Sequence, residues 1–466
     1  MNILCFDISS GGISAAIVDL DLQLKRFVDT QWLLEADESG AAALSVSTIV
    51  EQFKAAILQL KLAADDRIAA ICIDTFMHNC ALLDAADRPL TPVFTWLDHR
   101  GADGIELFRS RMGDRFHQRT GCRFHPMFPV FKLASMRLAD SPAISAAERI
   151  VSIKSILTHK LTGMWMEDYG IASSSGLFNE QHRVWDSEIL SLLEVAPACF
   201  PQVTSRDSIA GCVSSQAAVE FALPEGIAVV NGTGDGFAAH LGSGCERSDS
   251  ISVTLGTSAV VRQTMPRPVL APAAGTFCYV ADENVYLLGC AGSNGGNVLD
   301  WGRTVLGQSS HAQAGPDVPI FIPLLHGERS PEWDPGLRGS WYGLTARHTA
   351  AHLSRSILEG VIFNFGYLLD ILQQASGVRA RSLVLSGNGF LDPLAAPILA
   401  AITGSSVEMT EQPGLMTLRG TAICGLRALG KAVPALMSRI IEPCVDPKMS
   451  QRYAEYRRFR GTLARV

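Results

Sequence analysis

The chain contains no C-x-x-C pair, no uninterrupted apolar stretch of the ~18 residues that a membrane span needs, no dense basic stripe and no low-complexity segment. Each absence excludes a class. The eleven cysteines form an odd set lying mostly inside apolar runs, which fits buried free thiols in a reducing compartment better than a disulfide framework. Lysine and arginine are scattered, and the net charge of −7 is mild, so nucleic acid is not expected as the main partner. A small anionic ligand remains compatible, because local cations or backbone donors can hold one in an acidic protein. The opening MNILCFDISS lacks a basic stretch and Asp7 interrupts its apolar run, so neither a secretory leader nor a membrane anchor is expected, and the cytoplasm is the expected location.

What is present is enough hydrophobic content for more than one core. At 466 residues and 47% hydrophobic, the chain is expected to form two or three domains, and a cleft between domains is the natural place for a ligand. The first nineteen residues read as strand, Gly/Ser turn and strand: NILCF, DISSGG, ISAAIVD. Helical periodicity is predicted over 41–60, 129–139, 152–161 and 348–374, with an Asp cap opening WDSEILSLLE; IAAICID and CALLD read as strands. A second hairpin, SISVTL, GTS, AVVRQT, repeats the first, and the repetition suggests a duplicated architecture. The boundary is placed in the small, polar GSGCERSD stretch, giving domains over 1–245 and 246–466.

Tight turns rich in Gly, Ser and Thr can aim several backbone N–H groups and hydroxyls at one point, which makes a nest for phosphate oxygens. Asp7 closes the first strand and Asp235 sits in the Gly-rich turn NGTGDG, so the two carboxylates suit a metal ligand and a general base. Either Asp also serves as an ordinary turn residue. His78, among apolar neighbours, reads as a core residue, and Asp98 with Arg100 as a structural ion pair. The charges and prolines of GERSPEWDP imply a rigid, exposed loop.

In order along the chain, FMHNCALLD, TPVFTWLDHR, LTGMWMEDYGIASSSGLFN, NGTGDGFAAHLGSG, TLGTSAVVR, IPLLHGERSP, SGNGF and RGTA resemble segments of the FGGY family of carbohydrate kinases. The family's second signature is the most specific match, met by Gly339, Trp341, Gly343, Leu344, His352, Leu353, Ser356, Ile357, Leu358 and Glu359. TGCRFHPMFPVFKL, GSGC, GTSAVVR and SNGGNVLDW look most like the gluconate-kinase-like branch.

The resemblance implies an α/β, two-domain actin-like ATPase (ribonuclease H-like) fold, with mixed sheets flanked by helices and an active site in the interdomain cleft. It implies ATP and Mg²⁺ as cofactors and a small-molecule sugar as partner; the oligomeric state is left open, with a homodimer as one candidate. Asp235 matches the family's catalytic base, a metal ligand and a sugar contact, and Asp7 matches the acid that organises Mg²⁺. Ser9, Ser10 and Gly11 fall on the first phosphate loop, Gly256, Thr257 and Ser258 on the second, and Gly387, Asn388 and Gly389 on a loop near the nucleotide. Met77 and His78 fall where the family meets sugar hydroxyls.

The first loop departs from the family: Ser10 and Gly11 stand for two Thr, and Ser14 for a Lys or Arg. Asn79, Asn388 and Ser135 are further departures. For a sugar carboxylate, Lys132 or Arg123 is the candidate cation. The alternatives are a xylulokinase-like ketopentose kinase and a catalytically weakened sugar- or nucleotide-binding regulator.

Overall fold

The computed structural model describes residues 1–37, 40–307, 314, 317–410, 412–444 and 446–463. The chain forms two compact units: Met1–Gly242 with Cys278–Tyr286 and Leu415–Ala435, and Ser243–Phe277 with Leu287–Gly414 and Leu436–Val466.

In the first unit, Asn2–Ser9 and Gly12–Asp19 form the antiparallel hairpin read from the sequence. Ile68–Thr75 runs parallel to Asn2–Ser9, and the sheet order is Ile209–Cys212, Ala228–Val230, Ile68–Thr75, Asn2–Ser9, Gly12–Asp19, Leu24–Gln31. Alternate side chains of a strand point to opposite faces, and here both faces are covered. Leu4, Phe6 and Ile8 join Phe53 and Ile57 of the helix Val46–Gln59 in one core. Ile3 and Cys5 join Leu418, Ala422 and Ile423 of the helix Met416–Ala428 in another. Two buried faces explain why NILCF is continuously apolar instead of alternating. Helical periodicity predicted from residue 41 starts later, because Ala42–Leu44 is a strand paired with Glu35–Ala36 and Val93–Phe94.

The second unit repeats the pattern. Ser250–Leu255 and Ala259–Met265 form an antiparallel hairpin, Ser382–Ser386 runs parallel to Ser250–Leu255, Ser406–Thr410 continues in parallel and Ser438–Ile441 closes antiparallel. The helix Ala350–Ser376 carries the second-signature residues from His352 to Glu359 and ends at Gly377, whose left-handed φ of 69° suits the stop. By length and composition this helix could cross a membrane, but 78% of its most apolar window is buried inside the protein.

The GERSPEWDP segment is not an exposed loop at its start. Glu328 and Ser330 are buried, and Glu328 accepts hydrogen bonds from Ser293 N, Arg329 N and Asn364 Nδ2. Charge density misled the expectation, since a buried carboxylate with three donors is stable inside. All eleven cysteines are free, and most are buried; Cys212 and Cys444 are exposed.

Candidate active site

Parallel pairing sets Asp7 directly beside Asp74. By strand alternation both lie on the face that carries Ile3, Cys5, Ala70 and Cys72, so where the apolar packing ends two carboxyl groups stand against the helix Met416–Ala428. That helix answers with hydroxyls: Thr421 Oγ1 donates to Asp74 Oδ2, and Thr417 bonds to Asp7. Asp74 is fully buried, and its Oδ1 has no donor. Burial, then the charge of Asp235, pushes the Asp7 carboxyl up to about 7, and burial, then the charge of Asp7, pushes Asp74 well above the ordinary carboxyl range.

Asp235 begins the helix Asp235–Gly242. The preceding turn closes on the strand that bears Asp74, with Thr75 N donating to Thr233 O at 3.3 Å. Only glycine fits at 232, where φ is 66° and a Cβ would stand 1.9 Å from Ile73 O. Behind the turn lies a buried polar scaffold. Lys154 Nζ sits 2.7 Å from Asp168 Oδ1 and 3.2 Å from Glu167 Oε1, and donates to Asn231 O at 3.0 Å. Thr233 Oγ1 donates to Asp168 Oδ2 at 2.8 Å. The scaffold fixes Asn231 to Thr233, and through them the entry to Asp235.

Met77 and His78 follow the same strand. His78 has φ 61°, its Nδ1 lies 2.7 Å from Ser174 O, and its ring packs edge-on against Phe128 and Tyr279 at 4.9 and 6.0 Å. A Cβ at Gly234 would meet Met77 Cγ at 2.8 Å and Phe237 at 3.3 Å, so the glycine lets Met77 pack closely on the residue before Asp235. The imidazole is partly exposed, not a core residue. Asp98 and Arg100 do pair, at 2.6 Å.

The first turn is tightly held. Ser9 Oγ accepts from Gly11 N at 3.1 Å, Trp32 Nε1 donates to Ser10 O at 2.9 Å, and Ser14 Oγ donates to Asp29 Oδ1 at 2.7 Å. Gly12 is obligatory, because a Cβ there would lie 1.9 Å from Thr30 O, whereas Gly11 faces open space beyond Ser9 Oγ at 3.9 Å.

The second unit brings its own glycines together. Gly256 and Thr257 are exposed, and Gly296 N and Asn297 N donate to Gly256 O and Thr257 O at 2.8 and 3.1 Å. Gly387 and Gly389 press on Leu255, where Cβ atoms would come within 2.3 and 2.2 Å. Asn388 lies against Gly414, a Cβ there meeting Asn388 Oδ1 at 3.5 Å. The sequence thus named Gly256, Thr257, Ser258, Gly387, Asn388 and Gly389 as two loops, and the structure makes them neighbours.

Of the candidate cations for a sugar carboxylate, Lys132 is buried and donates to Thr95 O at 2.7 Å and Met127 O at 2.8 Å. Burial lowers its ammonium to about 8. Arg123 is only partly buried, with the charge of Asp114 acting on it.

Sequence reasoning missed Asp74, Thr417 and Thr421. IAAICID carries the same apolar-run-to-Asp signal as NILCFD, but its adjacency to Asp7 depends on a parallel pairing.

Among the described residues no three His, Cys, Asp or Glu side chains gather into a metal cage. Mg²⁺ needs none, since it is usually held by one or two carboxylates, water and phosphate oxygens. Asp7 and Asp235, partly exposed and close enough for repulsion to raise the Asp7 carboxyl, fit that requirement.

The duplicated mixed sheets flanked by helices are the two-domain fold of known sugar kinases. The residues 2–242 match the model of the FGGY family of carbohydrate kinases, N-terminal domain, and residues 251–429 that of its C-terminal domain. The chain belongs to this family and is an ATP-using carbohydrate kinase. It is 30% identical to a gluconokinase of Bacillus licheniformis over 79% of this chain and 75% of that one. It is 23% identical to a xylulose kinase of Lactococcus lactis over 92% of this chain and 87% of that one. The crystal structure of a gluconate kinase from Lactobacillus acidophilus superposes with a TM-score of 0.93 at 25% identity, covering 100% of this chain and 98% of the other.

Proposed function

We propose that this kinase transfers the γ-phosphoryl group of Mg-ATP to a hydroxyl of an open-chain sugar acid of the gluconate class, with Asp235 as general base. What supports the reading is that Met77 packs against Gly234, the residue before Asp235, and that His78, next to Met77, has a partly exposed imidazole. Asp235 accepts the hydroxyl proton as the sugar oxygen bonds to the γ-phosphorus and the bond from that phosphorus to the β-phosphate bridge breaks, releasing ADP. Asp7 and Asp235 would hold Mg²⁺, which would supply positive charge to offset that of the phosphate oxygens. In this reading residues 1–245 supply the sugar site, the first phosphate loop at Ser9, Ser10 and Gly11, and the base. Residues 246–466 supply the nucleotide loops at Gly256–Ser258 and Gly387–Gly389. The free state of all eleven cysteines supports a cytoplasmic location.

The substrate class rests on the gluconokinase likeness and on Arg123, a partly exposed candidate cation, whereas Lys132 is buried against Thr95 O and Met127 O. A ketopentose is the second reading, favoured by the xylulose kinase likeness and by the engagement of Lys132. The test is a coupled ADP-release screen of wild type and Arg123→Gln over aldonic acids, ketopentoses, ketohexoses and polyols. An aldonic acid should be preferred, with its KM raised about tenfold or more by Arg123→Gln, since the lost interaction is a charge-assisted hydrogen bond. A much better neutral ketose refutes the sugar-acid assignment and leaves the kinase standing. No sugar-dependent ADP release with any of them refutes Asp235 as a working base and favours the regulator.

A further inference from the structure

The two hairpins occupy matching places in their sheets, yet their polar groups have opposite character. In the first unit, the strand residue Asp7 has Asp74 as its parallel partner, and both lie just before the Ser10–Gly11 turn and the Met77–His78 segment. In the second unit, Thr254 has Ser386 as its parallel partner, and they lie just before the Gly256–Ser258 and Gly387–Gly389 loops. Two carboxyls in one unit are two hydroxyls in the other. Thr254 Oγ1 and Ser386 Oγ are hydrogen-bonded at 2.9 Å.

On this hydroxyl pair stands a cation. Arg262 lies on the adjoining strand Ala259–Met265, opposite Ser252 in the register, which puts it on the face shared by Ser252, Thr254 and Ser386. Its Nη1 donates to Thr254 Oγ1 at 3.4 Å, and the side chain is only partly buried. The neighbouring loop leaves room beside Gly256, where nothing stands within 4 Å of a Cβ position, while its N–H donates to Ser258 O at 3.1 Å and Gly387 and Gly389 close on Leu255. The first hairpin has no such cation, for Ala16, opposite Cys5, occupies the place that Arg262 has opposite Ser252.

We propose that Arg262, steadied by Thr254 and Ser386, is the side-chain cation that binds the phosphates of the nucleotide at the Gly256–Ser258 loop. This rests on the reading that the second unit takes the nucleotide. A guanidinium presents several donors in a planar fork and keeps its charge at any working pH, so it adds a positive charge to a site whose loops offer only neutral donors. Acidic Asp7 and Asp235 suit the metal, and Arg262 suits the phosphate anion.

The experiment is titration calorimetry of the full chain with two probes, MgADP and adenosine, on wild type, Arg262→Gln, Arg262→Lys and Thr254→Val. Arg262→Gln should weaken MgADP by roughly ten- to a hundredfold, the range for hydrogen bonds to charged groups, and leave adenosine unchanged. Arg262→Lys should recover part of the loss, and Thr254→Val should show a smaller loss confined to MgADP. Raising the salt concentration should weaken MgADP binding to wild type more than to Arg262→Gln. Equal MgADP affinity in wild type and Arg262→Gln overturns the assignment of Arg262 alone. Parallel weakening of adenosine and MgADP overturns it too, by showing a structural role. Failure of wild type to bind MgADP removes the nucleotide reading itself, and the proposal with it.

Discussion

Replacing Asp235 by Asn should stabilise the protein while disabling it, and the gain should depend on pH in a defined direction. The Asp7 carboxyl is raised from 3.8 to about 7, first by burial and then by the charge of Asp235. A rise of about three units corresponds to about 4 kcal/mol between the charged and neutral forms, at about 1.4 kcal/mol per unit. Burial is the larger cause, so the part due to Asp235 is on the order of 1–2 kcal/mol. An acid whose folded value is raised holds its proton more tightly when folded. Its contribution is therefore full below about pH 4 and is lost as pH climbs through about 7. Near pH 5 Asp7 is neutral and the repulsion is absent. Above pH 7 both carboxylates would be charged in wild type, and only Asp235→Asn escapes the repulsion. Thermal unfolding from pH 5 to 9 should show wild type and variant diverging above about pH 6, the variant higher by a few degrees at pH 8. Adding Mg²⁺ should narrow the gap, because the ion screens the wild-type pair. Turnover should fall by at least about a hundredfold, the lower range for a general base. Parallel stability curves over the whole pH range would refute the electrostatic coupling of Asp7 to Asp235, and turnover within about tenfold of wild type would remove Asp235 from the base role.

Two further outcomes follow from packing. Lys154→Met leaves the buried carboxyls of Glu167 and Asp168 without their cation, so stability should drop by about 3–5 kcal/mol, read as a lower denaturant midpoint; a change under about 1 kcal/mol would show that the scaffold does not hold the Asn231–Thr233 turn. Gly420→Ala would set a Cβ 1.8 Å from Ala238 O, forcing the helices Met416–Ala428 and Asp235–Gly242 apart, and should cost on the order of 1–3 kcal/mol and reduce turnover, whereas an unchanged melting temperature and rate would show that this helix crossing yields freely.

Local chemistry determined what the sequence could reveal. Hairpins with small-residue turns, an acid closing an apolar strand, and an acid in a glycine turn are short-range patterns, so Asp7, Asp235 and the Gly256–Ser258 loop could be named before any fold was known. The family motifs extended that reading to Met77, His78 and Gly387–Gly389, again by residues close together in the chain. Tertiary structure alone decided which groups meet. Asp74 became Asp7's neighbour through a parallel pairing, and Thr421 reached it from a helix near the other end of the chain. Lys132 shows the converse. Its charge invited a ligand, but the carbonyls of Thr95 and Met127 converge on it from distant and local chain, and no spacing rule reports where a carbonyl will point. Glu328 likewise sat among charges and prolines that signalled solvent, yet three donors from separate segments make its burial stable. Side-chain identity sets the chemistry that is available, and long-range pairing and packing set the partner, because hydrogen-bond satisfaction and burial belong to contacts made across the whole chain.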